Sequence, residues 1–219
     1  MEKGLFISFE GGDGTGKSTQ VRLFHKWIVS QFDPYAVLTF EPGDSAFGKE
    51  IREIVMHRKS KSKNDEISAK TQALLFALDR SYHVDNLILP TLKSGKTVIT
   101  DRYFDSSVAY QGEAGGLADE QIYDLNIFAT GGLLPDITFL IDRDPEKAVP
   151  KAKSNTGKKY DRFEEKSLEY HRLIRKKYFE FAKSDSRWEI IDGEADIKTV
   201  SKRIQEAFLK RVNDAGFVG

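Results

Sequence analysis

The chain has 219 residues, 39% of them hydrophobic and 31% charged, a make-up that suits one globular α/β domain with a full core. Its 34 basic and 34 acidic residues cancel, which argues against a general nucleic-acid or membrane-surface binder. There is no cysteine for disulfides or thiolate chemistry, and no apolar run reaches the roughly 18 residues of a membrane span.

Leu5–Phe9 is apolar and aromatic enough to predict a buried strand. It leads directly into Glu10-Gly11-Gly12-Asp13-Gly14-Thr15-Gly16-Lys17-Ser18-Thr19, which contains the Gly-x-x-x-x-Gly-Lys-Ser pattern of a phosphate-binding P-loop. A helix is predicted over 17–31, with Val21, Leu23, Phe24, Trp27 and Ile28 at helical spacing. The motif therefore sits between a strand and a helix, as its physics requires. Glycine lets the backbone wrap an anion without Cβ clashes, and the helix N-terminus faces the phosphates. Gly11, Gly12, Asp13, Gly14, Thr15, Gly16, Lys17, Ser18 and Thr19 form the candidate triphosphate cradle. Lys17 would reach the β- and γ-phosphates of ATP, and the Ser18 hydroxyl would ligate Mg²⁺.

A second strand, Ala36–Phe40, ends in Glu41-Pro42-Gly43-Asp44, a turn sequence that reads equally as a plain connection. Helices are predicted over 46–58 and 67–93. In the longer one, Phe76 and Arg80 share a face, a ring beside a guanidinium that suits a flat base with a phosphate beyond it. Taken alone, Phe76 reads as core and Arg80 as a surface ion-pair partner. The strand Thr97–Thr100 ends in Asp101-Arg102-Tyr103. A strand-end aspartate in a P-loop protein is placed to hold Mg²⁺ or its waters, and Arg102 a second anion. Phe104–Gly112 is rich in hydroxyl and amide groups able to read a base or sugar, and Glu113–Gly116 reads as a flexible loop.

Further helices are predicted over 119–129, 145–153, 164–184 and 196–212, with strands at Ile137–Ile141 and Glu189–Ile191. Strands alternating with helices predict a parallel sheet covered on both faces. Lys147, Lys151, Lys153, Lys158, Lys159 and Arg162 crowd a stretch broken by Pro150 and Ser154-Asn155-Thr156-Gly157. Such a run is a solvated face or, beside a triphosphate, a mobile basic lid. The first strand starts so early that no signal peptide is expected, and a cytoplasmic location follows as the default.

The chain resembles the thymidylate kinases, nucleoside monophosphate kinases among the P-loop NTPases. Glu10–Thr19, Glu41-Pro42-Gly43, Ala73–Arg80, Asp101–Gly112 and Asp161-Arg162-Phe163-Glu164 carry the resemblance, which extends over nearly the whole chain. It implies a single domain over 1–219: a three-layer α/β sandwich with a five-stranded parallel sheet and a short mobile lid at about 145–162. It also implies a cis Glu41–Pro42 bond, a homodimer, and transfer of a phosphoryl group from ATP to dTMP with Mg²⁺, the metal meeting Ser18 and Asp101. By match to the family, Phe76 stacks on thymine and Arg80 reaches the base edge or nearby phosphate. Arg102 binds the dTMP phosphate, Ser106 or Ser107 and Gln111 read the base, and Tyr110 crowds a ribose 2′-hydroxyl. Asp13 holds the deoxyribose 3′-hydroxyl and helps position the metal.

Gly14 stands where one family type carries a catalytic arginine, so the resemblance assigns that cation to the lid, to Lys153 first and Arg162 second. Phe40 stands where many members have an arginine. The alternative functions are a kinase for another nucleoside or monophosphate such as dUMP, and a non-enzymatic P-loop regulator. The Asn-Lys-x-Asp guanine motif of a GTPase is missing.

Overall fold

A computed structural model describes residues 4–57, 66–153, 163 and 166–214. Strands β1 (Phe6–Glu10), β2 (Val37–Phe40), β3 (Val98–Asp101), β4 (Ile137–Asp142) and β5 (Trp188–Asp192) form one sheet in the order β2-β3-β1-β4-β5. Every pairing is parallel, with Phe6 beside Val98 and Ile7 beside Ile137. β1 is wholly buried and β4 nearly so, because helices cover both faces, and their sequences accordingly read as continuous apolar runs. This is the three-layer P-loop α/β fold, with the five parallel strands expected.

On one face lie α1 (Lys17–Gln31) and α9 (Ile197–Asp214). Phe9, Phe24, Phe139 and Phe208 meet there with ring centroids 5.1–5.5 Å apart, joined by Ile28, Val200 and Ile204. The other face carries α3 (Ala69–His83), α5 (Phe104–Gln111), α6 (Asp119–Thr130) and α8 (Leu168–Ser184), which bury Phe6, Tyr103, Val108, Ile122, Ile174 and Tyr178. The remaining helices are α2 (Ala46–Arg52), α4 (Leu89–Lys93) and α7 (Pro145–Lys153).

Local chemistry sets the helix ends. Ser68 and Ser167 cap α3 and α8, each accepting an N–H from the first turn, and Gly131 closes α6 in the left-handed region (φ +61°). The helix expected over 67–93 is α3 and α4 joined through a π-helical turn at Val84–Ile88, and a second such turn, Glu53–His57, follows α2. Two segments differ from expectation. Phe104–Gln111, left without a regular assignment, is helix α5, and Glu113–Gly115 is a 3₁₀ turn whose first amide donates to Asp119 at 2.8 Å rather than a loose loop. α7 continues through Pro150. The rest of the expected lid, with Lys158, Lys159 and Arg162, lies outside the described residues. The Glu41–Pro42 bond is cis, as expected. No helix among the described residues is long and apolar enough to cross a membrane.

Candidate active site

The carboxyl ends of β1, β2 and β3 open into one cleft of ≈ 1070 Å³. It is lined by Gly12–Arg22 along the P-loop and α1, and by Phe76, Arg80, Asp101, Arg102, Ser106, Ser107, Tyr110 and Gln111 on its other walls. Every sequence-assigned site residue on the described P-loop, α3 and the β3–α5 segment is thus brought together, apart from Gly11, which touches the cleft only through its neighbours.

The P-loop leaves β1 through Gly11 at φ +143°, where a Cβ would stand 2.6 Å from the Ile141 carbonyl oxygen. Gly16, at φ +90°, turns the chain into α1. Lys17 is buried and pairs with the Asp101 carboxylate, and Ser18 follows it at the start of α1, on the wall of the same cleft. Burial pushes the Asp101 pKa up, but Lys17 and Arg102 outweigh it and hold the group below its ordinary value. Burial and the neighbouring Arg102 lower the Lys17 pKa, with Asp101 opposing them.

Arg102 is the centre of the second wall. Among the described residues it is the one non-glycine with positive φ, +75°, a conformation that costs an L-residue about 1–3 kcal/mol. Its guanidinium donates to Asp13 Oδ1 (2.7 Å), Tyr110 OH (3.1 Å), Gly11 O (3.1 Å) and Ser106 Oγ (3.0 Å). Tyr110 OH donates in turn to Asp13 Oδ2 (3.0 Å), and the guanidinium carbon lies 5.0 Å from the Tyr110 ring centre. Asp13, Arg102 and Tyr110 thus form a closed polar triangle.

Arg80 is held from three sides. Its Nε donates to Glu41 Oε2 (2.7 Å), and its Nη1 to Ser107 Oγ (3.2 Å) and to Asn126 Oδ1. The turn after β2 is therefore not a plain connection. Glu41 also accepts from His83 Nδ1 (2.9 Å). Burial raises the Glu41 pKa, yet Arg80 and His83 more than cancel this and leave it lowered. His83 is likewise disfavoured as a cation by burial, but Glu41 and Asp79 reverse this and raise its pKa. Phe76 faces Phe163 at 6.4 Å between ring centres, and the Gln111 Oε1 atom is buried without a hydrogen-bond partner. Together they form an aromatic pocket with an unused acceptor, suited to a flat heterocycle. The two serines separate: Ser106 is committed to Arg102 and Glu10, whereas Ser107 faces Arg80.

Lys151 and Lys153 lie in the last turn of α7. Sequence reading missed Glu10, Asn126 and Tyr178 as contributors. For Glu10 a signal existed: strand alternation puts it on the same buried face as Phe6 and Ser8, an unusual place for a carboxylate.

A P-loop at a strand–helix junction, a strand-end aspartate beside its lysine and a doubly covered parallel sheet define a P-loop nucleotide-binding protein. Comparison with known proteins narrows this. The family model described as thymidylate kinase matches residues 9–204. Curated proteins named thymidylate kinase resemble the chain along nearly all their length. The one from Symbiobacterium thermophilum is 41% identical over 217 residues, covering 97% of this chain and 98% of its own. That from Leifsonia xyli subsp. xyli is 40% identical over 202 residues (92% and 93%), and that from Caldanaerobacter subterraneus subsp. tengcongensis is 41% identical over 206 (94% and 95%). The chain belongs to the thymidylate kinase family.

Proposed function

We infer that the protein transfers the γ-phosphoryl group of ATP to the 5′-phosphate of dTMP, giving ADP and dTDP. The observation that carries this, beside family membership, is a single cleft holding both a P-loop and an Arg102-centred anion site flanked by an aromatic pocket. Two phosphate-directed cations in one cleft, Lys17 and Arg102, are what bringing two phosphates together requires.

In this reading the P-loop amides and Lys17 bind the triphosphate of ATP. Arg102 takes the dTMP phosphate, and Asp13 the deoxyribose 3′-hydroxyl. Phe76 stacks on thymine, with Arg80, Ser107 and Gln111 at its edge. Tyr110 crowds the sugar where a 2′-hydroxyl would stand. Mg²⁺ fits beside the P-loop. It characteristically takes one or two carboxylate or hydroxyl ligands and otherwise phosphates and waters, and Asp101, held ionised, with Ser18 supplies that set. When bound, the ion neutralises charge on the triphosphate. The remaining cation comes from the lid, with Lys153 as first choice and Arg162 as second.

The enzyme acts in the cytoplasm as a homodimer. The homodimer reading is supported by Leu74, Leu78 and Tyr82, exposed at four-residue intervals on the α3 face opposite Phe76 and Arg80, with Phe47 against Tyr82 at 5.3 Å. A coupled assay of ADP release tests the activity. Release that depends on dTMP is expected, and release unchanged by dTMP would overturn the assignment.

A further inference from the structure

The left-handed Arg102 backbone needs something to hold it, and the restraints around it are unusually complete. Its own N–H donates to Phe9 O at 2.9 Å. The following peptide is tied at both ends: its carbonyl oxygen accepts from Thr100 Oγ1 at 2.8 Å, and its N–H, that of Tyr103, donates to Glu10 Oε1 at 2.8 Å. The second oxygen of Glu10 accepts from Ser106 Oγ at 2.6 Å and from Tyr178 OH at 3.0 Å. Those two hydroxyls are the ones that Arg102 Nη1 meets, at 3.0 and 3.4 Å. One carboxylate therefore fixes the residue twice, through its backbone and, by way of two hydroxyls, through its guanidinium. Glu10 itself is wholly buried and does not line the cleft.

We propose that Glu10 is a positioning residue that holds Arg102 in its left-handed conformation and aims its guanidinium at the monophosphate, without touching substrate. The proposal rests on the reading of Arg102 as the dTMP phosphate contact. A carboxylate that merely supported the fold would bear equally on every ligand. A carboxylate that aims Arg102 bears most on the phosphate.

Thymidine lacks that phosphate, so the ratio of thymidine to dTMP dissociation constants isolates it. Calorimetric titration of both ligands into wild type, Glu10→Gln, Arg102→Ala and the double variant is the test, with Tm recorded alongside. Glu10→Gln is expected to lower the dTMP preference by about tenfold while thymidine affinity stays within about twofold, and to add nothing in the Arg102→Ala background. The KM for dTMP should rise in step with the lost preference. An unchanged preference in Glu10→Gln, or equal loss of both ligands, overturns the proposal. If Glu10→Gln does not fold, Tyr178→Phe decides. It removes one bridging hydroxyl and should cut the preference about threefold, and an unchanged ratio again overturns the proposal. Should Arg102→Ala itself leave the preference intact, the phosphate reading fails. A collapse in Arg102→Ala without one in Glu10→Gln defeats the Glu10 role alone.

Discussion

Lys17 stands beside Asp101 and Arg102 beside Asp13, so each of these two cations is balanced by a carboxylate from another element. Neither cation fills the core, and Lys17→Ala or Arg102→Ala is expected to keep the fold. Each should cost roughly 2–4 kcal/mol of transition-state stabilisation, read as kcat/KM. Near-normal kinetics in a folded Arg102→Ala protein would remove the phosphate assignment. Glu10 has a separate signature. Burial raises its pKa from 4.5 to about 7, with Asp105 adding to the rise and Arg102 opposing it. The folded state therefore holds the proton more tightly than the unfolded chain. The associated stability is fully present below pH 4.5 and is lost as pH rises through about 7. Denaturation of wild type against Glu10→Gln across that range should show wild type losing about 2–4 kcal/mol relative to the variant. Parallel curves would refute the shifted pKa. At this scale the P-loop was legible because its spacing is local. Asn126 and Tyr178 were not, since each meets its partner only after distant helices pack.

α5 escaped sequence reading because Phe104, Asp105, Ser107, Val108, Ala109, Tyr110 and Gln111 are all buried, which leaves no polar stripe to mark a helix. α1 and α9 showed their periodicity plainly, since one face of each meets solvent. Their shared aromatic cluster gives a stability prediction: Phe208→Ala should lose about 3–5 kcal/mol in urea unfolding. Because the ring lies behind the sheet from Arg102, the folded variant should keep its dTMP KM; a raised KM would show that the two faces are coupled. The lid is tested by kinetics. Lys153→Ala and Arg162→Ala should lower kcat far more than they weaken dTMP binding, because the contact is assigned to the reacting state. If both single variants and the double keep kcat within about twofold, roughly 0.4 kcal/mol, other groups supply the cation.

At the scale of the whole molecule, α3 turns two faces in opposite directions, Phe76 and Arg80 into the cleft and Leu74, Leu78 and Tyr82 outward. Placing a charge there, as in Leu78→Glu, should convert the expected dimer to monomer in analytical ultracentrifugation. A wild type that already sediments as a monomer would remove the homodimer reading. The sheet order was legible only as parallel and doubly covered. The sequence of neighbours depends on pairings between segments far apart, which no local pattern encodes. β1 precedes all its partners, yet it sits at the centre, bonded to β3 and β4. It cannot be sandwiched until residues 98–101 and then 137–142 have been synthesised, and loop closures of that span make folding slow. Nascent chains halted before residue 137 should leave Phe6–Phe9 open to protease and chaperone, and those halted beyond residue 192 should not. The P-loop is made before either strand that flanks β1, and the cleft it lines is among the last parts of the molecule to exist.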